Sequence, residues 1–302
     1  MAAQLQGNKL TLAGRRRLDN FHGVNFARNA PAAGPTKVRT PSRVLGVIPA
    51  RLASSRLPEK PLVQVAGRPL IEWVWRRVRD MGEFDKVVVA TDSERILHAV
   101  ESFGGQAIST RGDHLSGTDR VAEVASRADF AAFDLIVNVQ GDEPLVDAAH
   151  VSAATALVRD GWPIGTCASR IASLSDLADP NVVKIARAAN GRALYFSRAA
   201  IPHRRDTHGA AQAQPSDDFL RHIGIYAFSR SALESWVALP PSALERIEML
   251  EQLRPLEAGI GIGVAVVEAA ARGVDTPEDV MALEPLLQTL NDELPTHLTE
   301  NS

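Results

Sequence analysis

The sequence is most informative at first for what it lacks. It has a single cysteine, Cys167, which excludes an internal disulfide framework and a zinc site built from cysteines. No segment approaches the roughly 18 uncharged apolar residues of a membrane-spanning helix. No apolar signal core precedes the arginines at 15–17, so a secretory signal is excluded as well. These absences predict a soluble protein of a reducing cytoplasm that does not bind membranes.

Two common nucleotide-binding motifs are also missing. The chain has neither a GxxxxGK[ST] phosphate loop nor a GxGxxG dinucleotide fingerprint, which argues against P-loop ATPases and dehydrogenases. It has no internal repeat. Any nucleotide site must therefore be built from a different loop.

Acidic charge dominates the body of the chain. Residues 1–43 hold eight basic residues and one acid, so within a net charge of −3 they carry +7 and the remainder carries −10. A body this acidic repels phosphate except where basic residues cluster, so we expect no nucleic-acid partner. Three interpretations of the basic leader stay open: a disordered tail, a start codon assigned too far upstream, or an organellar transit peptide.

From residue 44 onward, short apolar runs alternate with amphipathic segments. Such alternation predicts an α/β fold with a doubly wound, mostly parallel sheet, Rossmann-like in type. The second half adds an insertion of antiparallel strands and then the last elements of the main sheet. The predicted strands are 44–48, 86–90, 106–109, 135–139, 164–171, 182–187, 193–197, 223–228 and 262–267, and the predicted helices are 69–81, 93–103, 118–128, 229–238, 247–258 and 276–290.

The loop after the first predicted strand concentrates phosphate-binding groups. Residues 49–61 (PARLASSRLPEKP) supply three cations, Arg51, Arg56 and Lys60, together with two hydroxyls. An open α/β sheet binds its ligand at the carboxyl ends of its strands, where this loop begins. Fixed donors and positive charge at that position predict a site for a nucleotide triphosphate.

This loop resembles the nucleotide-binding signature of sugar-activating nucleotidyltransferases. Together with five later blocks it resembles one family, CMP-Kdo synthetase, in which Kdo is the sugar acid 3-deoxy-manno-octulosonate. The resemblance covers about residues 44–283. The later blocks are 114–120 (HLSGTDR), 138–144 (NVQGDEP), 193–198 (ALYFSR), 221–226 (RHIGIY) and 274–279 (VDTPED).

The resemblance implies a cytidylyltransferase that joins CTP to Kdo, releases pyrophosphate and makes CMP-Kdo for lipopolysaccharide biosynthesis. It implies Mg²⁺ as cofactor, held by Asp142 and Asp275, since nucleotide-bound Mg²⁺ takes one or two protein carboxylates. It also implies a homodimer formed through the antiparallel insertion. The expected layout is a leader at 1–43, a cytidylyltransferase domain at 44–290 with a sugar-binding and dimerisation subdomain at about 163–228 and adjoining helices, and a tail at 291–302.

The expected site residues fall into three groups. Arg51, Lys60 and Asp142 are expected to be catalytic, the two cations by stabilising charge on the triphosphate and Asp142 by holding Mg²⁺. The nucleotide-binding set is Ala50, Arg51, Ser55, Lys60, Arg111, His114, Ser116 and Asp142. The Kdo-binding set is Arg56, Gln140, Arg198, His222, Tyr226, Glu251 and Gln252.

Several of these residues have a simpler structural interpretation. Ser116 is also a good helix N-cap and Asp275 a good turn residue, while Glu251 and Gln252 also fit the polar face of a helix. Glu143 is a further acid that would assist Asp142. The chain departs from the family at His203, where an aromatic residue is usual, and this bears on fine substrate preference.

Two alternative functions remain at this point. One is a cytidylyltransferase for another sugar acid, such as 8-amino-Kdo or sialic acid. The other is a glycosyltransferase with a similar (GT-A-like) sheet, which would be expected to carry a DxD metal pair. Residues 140–142 (QGD) are not such a pair.

Overall fold

A mixed sheet organises the part of the chain that the computed structural model describes, residues 42–54, 56–205, 219–269, 271 and 273–293. The predicted leader at 1–43 and tail at 291–302 lie almost wholly outside these residues. Among the described helices, none is long and apolar enough to cross a membrane.

The strands are β1 (Val44–Ala50), β2 (Gln64–Val65), β3 (Arg68–Pro69), β4 (Lys86–Thr91), β5 (Ala107–Ser109), β6 (Leu135–Asn138), β7 (Ile164–Arg170), β8 (Lys184–Arg187), β9 (Ala193–Ser197), β10 (Leu220–Ser229) and β11 (Ile262–Val267). The α-helices are α1 (Leu70–Arg79), α2 (Glu94–Ser102), α3 (Gly117–Ala125), α4 (Ala148–Arg159), α5 (Leu174–Ala178), α6 (Arg230–Ala238), α7 (Ala243–Glu248), α8 (Leu253–Glu257) and α9 (Pro277–Glu293).

The main sheet has the order β11-β7-β10-β6-β1-β4-β5. Only β10 runs antiparallel to its neighbours β6 and β7, while the other pairs along this path are parallel. The hairpin β8–β9 extends the sheet from the start of β10. The predicted fold class, a mostly parallel doubly wound sheet with antiparallel additions, is confirmed. Residue 163, where the predicted sugar-binding subdomain begins, does not divide the sheet, because β7 and β10 of that segment lie inside the main strand order.

The sheet forms because its central strands are apolar on both faces. In β1 every residue except Pro49 is buried, and Leu45 and Val47 pack into the core on one face of the sheet. Val44 and Ile48 pack into the core on the other face, where α1 and α4 also bury their apolar residues. Alternate residues along the strand therefore pack into two separate hydrophobic cores, as in a sheet covered by helices on both sides.

The helix predictions need correction at three places, the simplest being α5, a short helix that was not predicted. The helix predicted at 247–258 is instead two short helices, because Met249 adopts a left-handed conformation (φ 53°) that ends α7. The carboxylate of Glu248 there accepts hydrogen bonds from Ser197 Oγ (2.6 Å) and the Arg198 amide (3.0 Å), which fixes this break against β9. Helix α4 was missed because it is apolar around much of its surface, although Asp147 caps it through the Ala149 amide.

The fold places three loops at one edge. Because β1 and β6 are adjacent and parallel, the loops that follow Ala50 and Asn138 leave the sheet side by side. Helix α3 begins beside them, and Val274 donates its amide to the Asp142 carbonyl (2.8 Å), which brings in a fourth segment from near the chain end. This edge is where a ligand site is expected in an open α/β sheet.

Candidate active site

A cleft of about 760 Å³ lies at this edge, between the loop after β1, the loop after β6 and the start of α3. It contains four of the groups on which the sequence interpretation depends: Arg51, Lys60, Asp142 and Asp275. They therefore share one cavity, although Lys60 and Asp275 are 215 positions apart. The full lining is Pro49, Ala50, Arg51, Ala53, Ser54, Arg56, Lys60, Pro61, His114, Leu115, Ser116, Gly117, Arg120, Gln140, Gly141, Asp142 and Asp275.

Lys60 lies between the two aspartates. Its Nζ is 2.5 Å from Asp142 Oδ2 and 3.0 Å from Asp275 Oδ1. Burial would by itself lower the pKa of Lys60, but the attraction of the two carboxylates outweighs it and raises that pKa. Lys60 is thus a stable cation at neutral pH.

The backbone around Lys60 is shaped to reach this position. Glu59, directly before it, adopts a left-handed conformation (φ 54°), which non-glycine residues rarely do. Its carboxylate is held by Arg95 on α2, with Arg95 Nη2 2.9 Å from Glu59 Oε2. The turn that aims Lys60 into the cleft is therefore anchored from a neighbouring helix.

Gly141 permits the close contact of the two strand-end loops. A Cβ built on Gly141 would lie 2.8 Å from the Pro49 carbonyl oxygen, a backbone atom that cannot move aside alone. The requirement for glycine here is steric. The chain gains a direct approach of the loop bearing Asp142 to the loop bearing Arg51.

The other predicted residues of the basic loop differ in their exposure to solvent. Arg51 is exposed, Ala50 is buried at the end of β1, and Arg56 is exposed with Nη2 3.1 Å from Asp275 Oδ2. The predicted nucleotide-binding Ser55 lies outside the described residues.

The start of α3 combines structural and cleft-lining roles. Ser116 is the N-cap, and its Oγ accepts from the Asp119 amide while Asp119 accepts from the Ser116 amide. The capping interpretation of Ser116 is therefore confirmed, and Ser116 lines the cleft as well.

Arg111 and His114 lie together beside this helix start. The His114 ring is nearly buried, with Nε2 2.5 Å from Glu123 Oε2, and borders both the cleft and an adjoining pocket. Arg111 lines only the adjoining pocket, and its amide donates to Glu123 Oε2 at 3.1 Å while its Nε lies 3.7 Å from the same oxygen. The structure thus brings His114, but not Arg111, to the cleft.

Buried polar atoms without partners lie under the cleft, on the side of β10. They are Tyr226 Oη, Glu251 Oε2 and Asn138 Nδ2. Tyr226 and Asn138 are directly paired across β10 and β6, so their side chains share one face of the sheet. Gln140, which lines the cleft, donates to Asn138 Oδ1 at 3.5 Å. Such atoms are costly to leave unsatisfied and indicate a place where a polar ligand or water completes the bonding.

Burial controls the ionisation of this cluster. It raises the pKa of Tyr226 well above its usual value, with a further increase from the negative charge of Glu251. It also raises the pKa of Glu251, against the opposing effects of two hydroxyls, that of Thr118, which donates to Glu251 Oε1 at 2.7 Å, and that of Ser116. Tyr226 is therefore a neutral hydroxyl donor at physiological pH.

Like Tyr226 and Glu251, three other predicted sugar-binding residues are not part of the cleft lining. His222 packs between Phe196 and Tyr226, has Nε2 2.9 Å from Thr166 Oγ1, and has its pKa lowered to about 3 by burial. The guanidinium of Arg198 donates hydrogen bonds to the backbone carbonyls of Pro180, Glu248 and Met249. Gln252 is buried in the link before α8.

Glu143 is buried beside Asp142. Burial raises its pKa to about 8, with a further rise from Asp142 and an opposing effect of Arg221. Glu143 itself does not line the cleft.

The two aspartates suit a hard divalent cation. Since Asp142 Oδ2 and Asp275 Oδ1 both lie within 3.0 Å of one Lys60 nitrogen, they already flank a single cation. Among the described residues no cluster of three or more His, Cys, Asp or Glu side chains forms a complete cage. Two carboxylates completed by phosphate oxygens and water are the usual arrangement for nucleotide-bound Mg²⁺, so these residues fit that ion.

Sequence reasoning missed three contributors to this region. Arg120 lines the cleft from α3, and Thr118 and Asn138 belong to the buried polar cluster beneath it. Each falls within a motif that the sequence interpretation had already selected, and Asn138 ends a strand at the ligand-binding edge. The strand-end rule would have found Asn138, whereas the contact of Thr118 with Glu251 joins residues 133 positions apart.

Comparison with known proteins gives consistent matches. The family profile described as Cytidylyltransferase matches residues 45–262. A 3-deoxy-manno-octulosonate cytidylyltransferase of Syntrophobacter fumaroxidans is 50% identical over 247 residues, covering 81% of this chain and 97% of that protein. The protein of the same description from Gemmatimonas aurantiaca is 48% identical, covering 79% of this chain and 92% of its own.

Solved structures agree with the fold. The structure of CMP:2-keto-3-deoxy-manno-octonic acid synthetase complexed with CTP is 41% identical, with a TM-score of 0.75, and covers 82% of this chain and 100% of that one. A 4-diphosphocytidyl-2C-methyl-D-erythritol synthase from Anaerococcus prevotii, 14% identical with a TM-score of 0.54 and covering 82% of this chain and 96% of its own, shares the fold alone.

Proposed function

The chain belongs to the 3-deoxy-manno-octulosonate cytidylyltransferase family, and on that premise we propose that it joins CTP to Kdo, giving CMP-Kdo and pyrophosphate for lipopolysaccharide biosynthesis. One observation carries the proposal at the level of residues. Arg51, Lys60, Asp142 and Asp275 line one cleft large enough for a nucleotide and a sugar.

The proposed reaction is an in-line displacement at the α-phosphorus of CTP. The anomeric hydroxyl oxygen of Kdo forms a bond to phosphorus, the bond to the bridging oxygen breaks, and pyrophosphate leaves with that electron pair. The hydroxyl proton is lost to solvent. Such transfers depend mainly on positioning and charge neutralisation, so no covalent enzyme intermediate is needed.

Arg51 and Lys60 are proposed to neutralise the charge that builds up on the leaving pyrophosphate. Lys60 is suited to this because it is charged, mostly enclosed by the cleft wall and anchored by two acids. Arg51 is free to adjust because its side chain is exposed. Preorganised cations in a partly dry cleft are worth more than the same charges in water.

Asp142 and Asp275 are proposed to hold Mg²⁺ with the triphosphate. When bound, the ion supplies positive charge to the phosphate oxygens and lowers the pKa of a nearby hydroxyl. Lys60, located between the two acids, keeps them close together before the nucleotide arrives.

The sugar acid is proposed to bind on the β10 side of the cleft. The Tyr226 hydroxyl and Glu251 Oε2 lack partners, and Asn138, which pairs with Tyr226 across the sheet, is linked to the cleft by Gln140. Of the two arginines predicted for the sugar carboxylate, Arg56 is the better candidate. It faces the cleft, whereas the guanidinium of Arg198 is occupied by backbone carbonyls.

The direct test is pyrophosphate release with CTP, Mg²⁺ and a panel of sugar acids: Kdo, 8-amino-Kdo and sialic acid. We expect release with Kdo at the highest kcat/KM. A higher kcat/KM with another acid would show that the chain is a cytidylyltransferase for that acid and not for Kdo. Absence of release with every acid would overturn it, and transfer from a preformed sugar nucleotide would indicate a glycosyltransferase instead.

Two further properties are proposed with it. A homodimer is suggested by large apolar side chains exposed around the antiparallel hairpin and α7, namely Leu194, Ile247 and Met249. Light scattering on the purified protein checks this, and a strictly monomeric mass would contradict it. The cytoplasm is the proposed compartment because CTP is available there.

A further inference from the structure

The start of α3 touches both sides of the proposed site. Its first turn lines the cleft through Ser116 and Gly117, and the next residue, Thr118, turns inward and is fully buried. Thr118 Oγ1 donates to Glu251 Oε1 at 2.7 Å. This hydrogen bond connects the helix at the nucleotide end with the carboxylate at the sugar end.

The two oxygens of Glu251 are in unequal environments. Oε1 is held by Thr118, while Oε2 is buried without a partner in the neighbourhood of the Tyr226 hydroxyl, which also lacks one. A carboxylate on a short link between two helices has several rotamers open to it. The bond from Thr118 selects one of them and leaves Oε2 available as an acceptor.

We propose that Thr118 is a positioning residue for the sugar acid: by holding one oxygen of Glu251, it presents the other to a hydroxyl of the substrate. The inference rests on the proposed function and deepens it.

The test compares Thr118→Val, which keeps the shape and removes the hydroxyl, with Thr118→Ser, which keeps the hydroxyl. The expected result for Thr118→Val is a KM for Kdo raised about tenfold or more, with a CTP dissociation constant within about threefold of wild type. Thr118→Ser should restore the KM for Kdo to within about threefold.

A matched control is available at Thr155. Thr155 lies on α4 and is as buried as Thr118, and its hydroxyl is 3.0 Å from Glu83 Oε1. Thr155→Val removes a similar hydroxyl–carboxylate contact and should leave the KM for Kdo unchanged. An unchanged KM in Thr118→Val, equal losses for Kdo and CTP, or a serine variant as impaired as the valine variant would overturn the proposal.

A second measurement separates this inference from the proposed function. The pKa of Glu251, followed by carboxyl carbon NMR, should be higher in Thr118→Val than in wild type or Thr118→Ser, because the hydroxyl favours the ionised form. This result does not require turnover of any sugar. An identical Glu251 titration in all three proteins would overturn the positioning role even if Kdo proves to be the substrate.

Discussion

Replacing Lys60 by methionine is the perturbation whose consequences the structure defines best. The change keeps most of the side-chain volume and removes the cation between Asp142 and Asp275. The two carboxylate oxygens, each within 3.0 Å of the missing ammonium, then lose their shared cation, although Asp275 keeps its ion pair with Arg56 at 3.1 Å.

The magnitude follows from the exposure of the three side chains. Breaking a fully buried ion pair costs about 3–5 kcal/mol. Here the side chains of Lys60, Asp142 and Asp275 are 16%, 32% and 43% exposed, so solvent screening reduces this to about 1–2 kcal/mol. For a domain of this size that corresponds to a fall in Tm of about 3–6 °C.

The assay is thermal unfolding of the metal-free protein, repeated with Mg²⁺ and no nucleotide. We expect Mg²⁺ to stabilise Lys60→Met more than wild type, because the ion replaces the lost charge between the acids. The control is Arg79→Met, which breaks an exposed pair with Asp80 outside the cleft lining and should change Tm far less. Equal stability of Lys60→Met and wild type, with no gain from Mg²⁺, would refute the bridging role of Lys60.

Three further predictions follow from single contacts. Gly141→Ala should lower kcat/KM at least about tenfold and reduce the free energy of unfolding by about 1–3 kcal/mol, because the added Cβ would press on the Pro49 carbonyl. The control is Gly82→Ala, which has open space around the added Cβ and should change neither quantity. Tyr226→Phe should raise the KM for Kdo without lowering the urea midpoint, because the hydroxyl it removes has no partner in the free protein; a lower midpoint would show that the hydroxyl is structural. His222→Gln should reduce the loss of unfolding free energy between pH 6.5 and pH 4 in urea titrations: His222 stays neutral in the fold with a pKa of about 3, whereas the unfolded chain takes up its proton near the ordinary value. A pH dependence equal to that of wild type would contradict the last of these.

The sequence predicts the middle of the sheet well because β1 and β6 are nearly continuous apolar runs. The runs at Val44–Ala50 and Leu135–Asn138 are buried on both faces, and this pattern alone indicates parallel strands with helices on either side. The same reasoning places the loops after them at one edge. The shared location of Arg51 and Asp142 therefore follows from strand direction.

The contribution of Asp275 cannot be obtained in this way. It follows no strand of the central pair, and it reaches the cleft through the backbone bond between Val274 and Asp142. Sequence spacing does not reveal such a contact, so the prediction rested on family resemblance. The same holds for Glu251. Helical periodicity predicts a continuous helix through this region, whereas the chain breaks at Met249, just before Glu251.

Arg198 illustrates a different limit. A conspicuous arginine in a predicted sugar pocket suggests a carboxylate ligand, but three backbone carbonyls occupy its guanidinium here. Residue type indicates what a side chain is able to bind, while its neighbours decide whether it is free to do so. Its assignment to the sugar stays a prediction.

The most direct measurement is a double-mutant cycle on the Mg²⁺-dependent affinity for CTP, using Asp142→Asn, Asp275→Asn and the combined variant in titration calorimetry. Each single change should weaken Mg²⁺–CTP binding about tenfold or more, and the combined variant should lose clearly less than the two losses added together, because both acids act on one ion. Additive losses, or unchanged affinity in either single variant, would show that these carboxylates do not meet at the nucleotide.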